Sequence, residues 1–252
     1  MLQGLRRSSL PWSVPVQSRK NNKMGRADDR NDFSNTLQEG HWRQKGFRMV
    51  RNVVFDIGNV LAGFCWQEFY KSFGYSEEVF GKLADATVRS TFWNEMDRGK
   101  LSDEQLLEGF IANDPSIEKE IREVFADIRS MILRYDYAIP WIQELKGRGY
   151  GIYVISNFAR RAHEQCMDAL DFLKETDGGI LSYQVKMIKP SPEIYQLLCS
   201  KYNLKPEECV FIDDTEKNVE AAVREGMKGI VFHSLEQTKK ELDEILSGIA
   251  PV

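Results

Sequence analysis

From Val50 onward short apolar runs alternate with amphipathic stretches, whereas residues 1–48 sustain no apolar period. Val53-Val54-Phe55 is a short apolar run ending at Asp56, with Gly58 two positions on. It reads as a buried strand with a polar residue at its carboxyl end. A long, mostly helical region follows over 64–134. Ser102-x-x-Gln105 is a capping box within it and marks a helix start. Further amphipathic stretches lie at 76–88 and 116–134.

After Pro140 the order changes to alternating helix and strand. Trp141 to Lys146 reads as helix, ended by Gly147 and Gly149. Strands are expected at 152–155, running into Ser156-Asn157, at 180–185, at 210–212, running into Asp213-Asp214, and at 229–232. Helices are expected at 159–170, after the Ser191-Pro192 pair, which suits N-cap and N1, and at 216–225, stopping at Gly226. Ser234-x-x-Gln237 caps a terminal helix. This alternation predicts an α/β fold on a doubly wound parallel sheet. Ligands of such sheets bind beyond the carboxyl ends of the strands. Asp56, Ser156 and the Asp213-Asp214 pair all end strands and would meet on one edge.

Hydrophobic residues make up 42% and charged residues 29% of the 252-residue chain, ordinary for a soluble protein with a real core. No window approaches the ~18 apolar residues of a membrane span. Cys65, Cys166, Cys199 and Cys209 form no C-x-x-C pair and no signal-peptide apolar region is present, which favours reduced thiols in a cytoplasmic protein. His41, His163 and His233 are too scattered for a zinc site. Residues 1–48 hold 10 Lys/Arg against 4 Asp/Glu, and the remainder 24 against 34. That acidic body argues against nucleic acid as a partner. The basic, polar residues 1–48 are expected to be disordered. A transit peptide, a regulatory tail and upstream sequence preceding a start at Met49 compete for them; the third is favoured, because Met49 directly precedes the first strand.

Phe55-Asp56-Ile57-Gly58-Asn59-Val60-Leu61, Val154-Ile155-Ser156-Asn157, Lys189-Pro190-Ser191-Pro192, and Phe211-Ile212-Asp213-Asp214 with Asn218 together resemble the haloacid dehalogenase superfamily. Within it, the chain looks like the helical-cap phosphatases similar to bacterial α-D-glucose-1-phosphate phosphatase. The resemblance covers 50–247, with all four pieces in the family's order. It implies a Rossmann-like core over 49–63 and 135–252, with an inserted helical cap over 64–134. It also implies a phosphatase acting on a small phosphate ester, sugar phosphates among the candidates.

The resemblance makes Asp56 the nucleophile, because a carboxylate attacking phosphorus splits one hard displacement into two easier ones. Mg²⁺ would remove the repulsion between Asp56 and the phosphate, held by Asp56, Asp214 and the Gly58 carbonyl, with Asp213 joining or standing behind them. Lys189 would pair with Asp56 and the phosphoryl oxygens. The Ser156 side chain and the Asn157 backbone N–H would hold phosphate oxygens near a helix start. Bland alternatives accompany each role: a turn aspartate, a solvated acidic loop, a surface lysine and simple helix caps.

Gly58 departs from the commonest phosphatase pattern of the superfamily. An Asp two positions after the nucleophile there serves as general acid and base. Without it the leaving oxygen is expected to depart with less proton donation, and the thiol of Cys65 is a poor substitute. Trp93, Glu95, Asp97 and Arg98 form a polar-aromatic cluster in the cap. Substrate contact and a packed helix end with a solvated charge face both fit it. Two rivals remain: a metal-independent dehalogenase, against which the paired acids speak, and a scaffold or regulator that keeps the fold. Gly58 supports the last, while intact Asp56, Lys189 and Asp214 oppose it.

Overall fold

The structure of the protein, a computed structural model, describes residues 49–247; the expectation of disorder over 1–48 lies outside them. Asn52–Phe55 forms β1, fully buried from Val53 onward. The chain turns directly after Asp56. The Ile57 carbonyl accepts from the N–H groups of Val60, Leu61 and Ala62. Asn59 sits in the left-handed region at φ 55°, where Asn is better tolerated than most residues. β2 (Ala62–Phe64) leads into five helices: α1 (Trp66–Lys71), α2 (Glu77–Ala86), α3 (Trp93–Arg98), α4 (Asp103–Asn113) and α5 (Glu118–Ala126). β3 (Ile132–Arg134) then returns antiparallel to β2.

The alternating half follows as α6 (Ala138–Gly147), β4 (Gly151–Ser156), α7 (Arg160–Gln165) and a 3₁₀ stretch over Met167–Glu175. β5 (Gly178–Leu181), α8 (Ser182–Val185), α9 (Pro192–Tyr202) and β6 (Cys209–Asp213) come next. The described chain closes with α10 (Glu216–Arg224), β7 (Lys228–Val231) and α11 (Leu235–Leu246). No helix among the described residues is long and apolar enough to cross a membrane.

The main sheet has the order β5-β4-β1-β6-β7, parallel throughout. The chain fills the β4 side of β1 first and then crosses to the β6 side. β1 is therefore the switch point, where a crevice opens beyond the strand ends. Alternation in β1 sends successive side chains to opposite faces. Val54, with Ile155 and Phe211, packs against Tyr195 and Leu198 of α9 and Ala222 of α10. Phe55 meets Trp141 of α6 edge-on at 4.8 Å. The inserted helices have a core of their own, in which Phe110 of α4 stacks on Phe125 of α5 at 5.0 Å.

Both capping boxes form, at Ser102 with Gln105 and at Ser234 with Gln237. Other boundaries move for local reasons. The 116–134 stretch is not one helix: it ends at Ala126, where the Asp127 carboxylate accepts from the Arg129 N–H and offers the backbone an alternative to the next turn. The strand expected at 180–185 starts earlier, at Gly178, where two glycines admit the Tyr202 ring and its hydroxyl accepts from the Gly179 N–H. It ends at Leu181, after which Ser182 turns inward and α8 begins. α6 starts at Ala138 instead of Trp141, because Pro140 in a first turn sacrifices no helix hydrogen bond.

Candidate active site

The pairing of β1 sets the site. Phe55 lies opposite Val154 of β4 and Ile212 of β6, so the strand ends bring Ser156, Asp56 and Asp213 side by side. Lys189, 3% exposed, reaches in from the loop before α9. Its ammonium lies 2.8 Å from Asp56 Oδ1 and 2.6 Å from Asp213 Oδ2. Asp56 Oδ1 also accepts from the Ile57 N–H at 2.7 Å, which fixes the carboxylate's orientation. Asp213 is fully committed within the protein. Asn218 Nδ2 donates to both of its oxygens at 3.1 Å, and the Thr215 N–H donates to Oδ1 at 2.8 Å.

Asp214, half-buried, sits differently. Asn59 Nδ2 donates to its Oδ2 at 2.9 Å, while Asn59 Oδ1 accepts from the Phe64 N–H at 3.2 Å. The left-handed turn after β1 thus aims an amide at the end of β6. Carboxylate oxygens of Asp56, Asp213 and Asp214 lie within 4.8 Å of one another. Two like charges that close repel by ~3 kcal/mol at an effective dielectric of about 20. Burial pushes the Asp56 carboxyl up to about 7; the Lys189 ammonium opposes that rise and the Asp213 charge adds to it, while the Ser156 hydroxyl favours the ionised form. Burial disfavours the Lys189 ammonium, but Asp56 and Asp213 outweigh it and raise Lys189. Three carboxylates against one lysine leave an excess of negative charge on oxygen donors. A hard divalent cation fits that donor set.

Ser156 is buried beside Asp56. The Asn157 side chain serves the lysine loop: Nδ2 donates to the Lys189 carbonyl at 3.1 Å and Oδ1 accepts from the Lys189 N–H at 2.7 Å. Neither residue caps a helix, since α7 begins at Arg160 with Ala159 as its N-cap. The helix-cap alternative for them therefore falls, and with it the placement directly at a helix start.

A cavity of about 240 Å³ opens above these groups. Asp56, Gly58, Asn157 and Asp214 line its floor, and Trp93, Met96 and Asp97 come from α3 of the insert. The cluster around Trp93 separates by role. Trp93 packs on Phe64 at 5.7 Å and Phe110 at 5.9 Å. Glu95 and Arg98 pair with each other at 3.2 Å. Asp97 alone of the three charged members lines the cavity. Sequence reasoning left Asn59 without a role and left Asp97 between substrate contact and a solvated charge face. Asn59 lies inside a recognised motif, while helix period alone carries no signal for Asp97.

A parallel sheet with a buried acid ending its central strand, faced by a lysine and an acid pair, delimits a narrow class of α/β hydrolases. Residues 50–226 match the haloacid dehalogenase-like hydrolase family, and the chain belongs to it. It is 26% identical over 201 residues to the phosphorylated carbohydrates phosphatase of Thermotoga maritima, covering 76% of this chain and 89% of that one. It is 26% identical over 206 residues to drimenol cyclase drtB of Aspergillus calidoustus, covering 80% of this chain but 38% of that longer protein. The magnesium complex of a haloacid dehalogenase family enzyme from Bacteroides thetaiotaomicron superposes with a TM-score of 0.61. The superposition covers 77% of this chain and 99% of that one at 21% identity, a likeness of fold.

Proposed function

We propose that this chain is a Mg²⁺-dependent phosphatase that hydrolyses a small phosphorylated metabolite, sugar phosphates among the candidates, through a phosphorylated Asp56. The observation that carries it is the oriented, lysine-paired Asp56 at the switch point of the sheet, on the lining of the cavity that α3 shares. Asp56 attacks phosphorus, the P–O bond to the alcohol breaks, and water then releases phosphate from the acyl phosphate. Lys189 holds Asp56 and faces the transferring oxygens. Ser156 and the Asn157 N–H provide donors at the adjacent strand end. Asp56, Asp214 and the Gly58 carbonyl would hold Mg²⁺, while Asp213, its oxygens already bonded, stands behind them and fixes Lys189 and Thr215. The cation, when bound, offsets the repulsion between the carboxylates and an incoming phosphate. The insert acts as a cap that limits water and meets the rest of the substrate. The phosphatase relative from Thermotoga maritima, aligned over most of both chains, supports the same reaction class.

The test is a phosphate-release screen across sugar phosphates, nucleotides and aryl phosphates, with Mg²⁺ and with chelator. Release that needs Mg²⁺ and is lost in Asp56→Asn is expected. Activity that ignores the chelator, or that survives in Asp56→Asn free of contaminating enzyme, overturns the reading.

A further inference from the structure

Gly58 leaves the leaving oxygen without a proton donor at the position where many phosphatases carry one. The backbone does not demand glycine there: its φ is ordinary, and a Cβ would meet no atom within 4 Å. Gly58 itself lines the cavity. On another wall of the same cavity stands Asp97, from α3. We propose that Asp97 is the general acid and base of the reaction, carried by the inserted helix in place of the side chain that Gly58 lacks. This rests on the phosphatase reading above.

Three observations converge on it. The first is availability. Among the described residues the Asp97 carboxylate has neither a hydrogen bond nor an ion pair within the protein. Its charged neighbours on the helix, Glu95 and Arg98, satisfy each other. The second is anchoring. The Ser182 hydroxyl donates to the Asp97 carbonyl at 2.6 Å and accepts from the Phe158 N–H at 2.9 Å. One side chain thus ties the acid-bearing residue to the segment that follows Ser156 and Asn157. Two positions on, Gly99 is left-handed (φ 65°) and lies against Tyr183, and the Lys186 ammonium bonds its carbonyl. The third is protonation. Asp97 still opens to the cavity, but the surrounding protein pushes its carboxyl up to about 7; the Asp56 charge adds to this and the Lys189 ammonium opposes it. Asp56 from β1 and Asp214 after β6 share the cavity lining with it, and the buried Lys189 before α9 acts on it through its charge, so the acid form is available near neutral pH.

The steps balance. Asp56 forms a bond to phosphorus as the bond to the alcohol oxygen breaks, and the Asp97 proton goes to that oxygen, giving the free alcohol. A water molecule then attacks phosphorus. Its proton passes to the Asp97 carboxylate, the bond to Asp56 breaks, and phosphate leaves with both aspartates restored.

The experiment compares the full chain with Asp97→Asn in Mg²⁺, plotting log kcat/KM against leaving-group pKa for alkyl and aryl phosphates of similar size. The native protein should show a shallow slope. Asp97→Asn should lose ~10²–10⁴-fold on alkyl phosphates, yet stay within a few-fold on 4-nitrophenyl phosphate, whose alcohol departs unprotonated. Acid quenching during turnover of 4-nitrophenyl phosphate should trap more phosphorylated Asp56 in the variant, because its second step lacks a base. Glu95→Gln, which changes the Arg98-paired carboxylate on the same helix and away from the cavity lining, should keep the native slope. An equal loss on every substrate, or an unchanged slope in Asp97→Asn while the native protein is active, overturns the role of Asp97 and leaves the phosphatase reading standing. A native protein that neither releases phosphate nor forms phosphorylated Asp56 overturns both.

Discussion

Lys189 is the residue on which the site's electrostatics turn. Its ammonium is buried between Asp56 and Asp213 and contacts both. Desolvating three such charges is costly, and the close geometry repays it only while all three are present. Lys189→Ala leaves two buried carboxylates facing each other. The expected cost is ~3–5 kcal/mol of stability in chelator at neutral pH, read from urea unfolding. Mg²⁺ should return part of that loss, because it offsets the same charge. A variant as stable as the native protein in chelator would show that water reaches the pair freely. Asp213 is the complementary case. Its position beside Asp214 in the sequence does not distinguish the two, but its carboxylate bonds Asn218, Thr215 and Lys189, whereas that of Asp214 meets Asn59 beside the cavity.

At the scale of elements, the short helix α3 matters more than its six residues suggest. Its apolar side, Trp93 and Met96, seats it in the insert core, and its last residues lie against α8. Gly99 closes it. A Cβ there would meet Tyr183 Cβ at 2.8 Å and Cα at 2.9 Å, and the backbone is left-handed as well. Gly99→Ala therefore combines a backbone penalty with a clash against main chain, on the order of 1–3 kcal/mol. The element must shift, and Asp97 shifts with it. Thermal unfolding should show the destabilisation, and alkyl phosphates should lose more activity than aryl phosphates. A variant unchanged in both would mean that α8 yields without moving α3. The capping boxes at Ser102 and Ser234 are the opposite kind of feature, visible in four consecutive residues because every group they satisfy is local.

For the whole molecule, two cores meet at one cavity. The sheet core is built around Val54, Ile155 and Phe211, and the insert core around Phe110, Ile121 and Phe125. Phe110→Ala should cost ~3–5 kcal/mol through the cavity it leaves. Hydrogen exchange should then quicken over α2 to α5 while β1, β4 and β6 stay protected. Equal acceleration in the sheet would show that the two cores unfold as one.

The sequence by itself determined the α/β alternation, the strand ends at Asp56, Ser156 and Asp213-Asp214, and the capping boxes. Apolar period, caps and turn residues are short-range signals, each complete within a few positions. The β2–β3 ribbon escaped it, because three-residue strands carry no period and their pairing joins residues far apart in the chain. Only the tertiary structure placed β1 between β4 and β6, which makes neighbours of Asp56, Lys189 and Asp213. It also decided that Asn59 reaches Asp214, and that Asp97, not Glu95, lines the cavity. Glu95 and Asp97 are both acids on one helix, alike in composition and close in position. The packing of Trp93 and Met96 and the tie from Ser182 to the Asp97 carbonyl set that helix's rotation, and partners that distant in sequence leave no local trace.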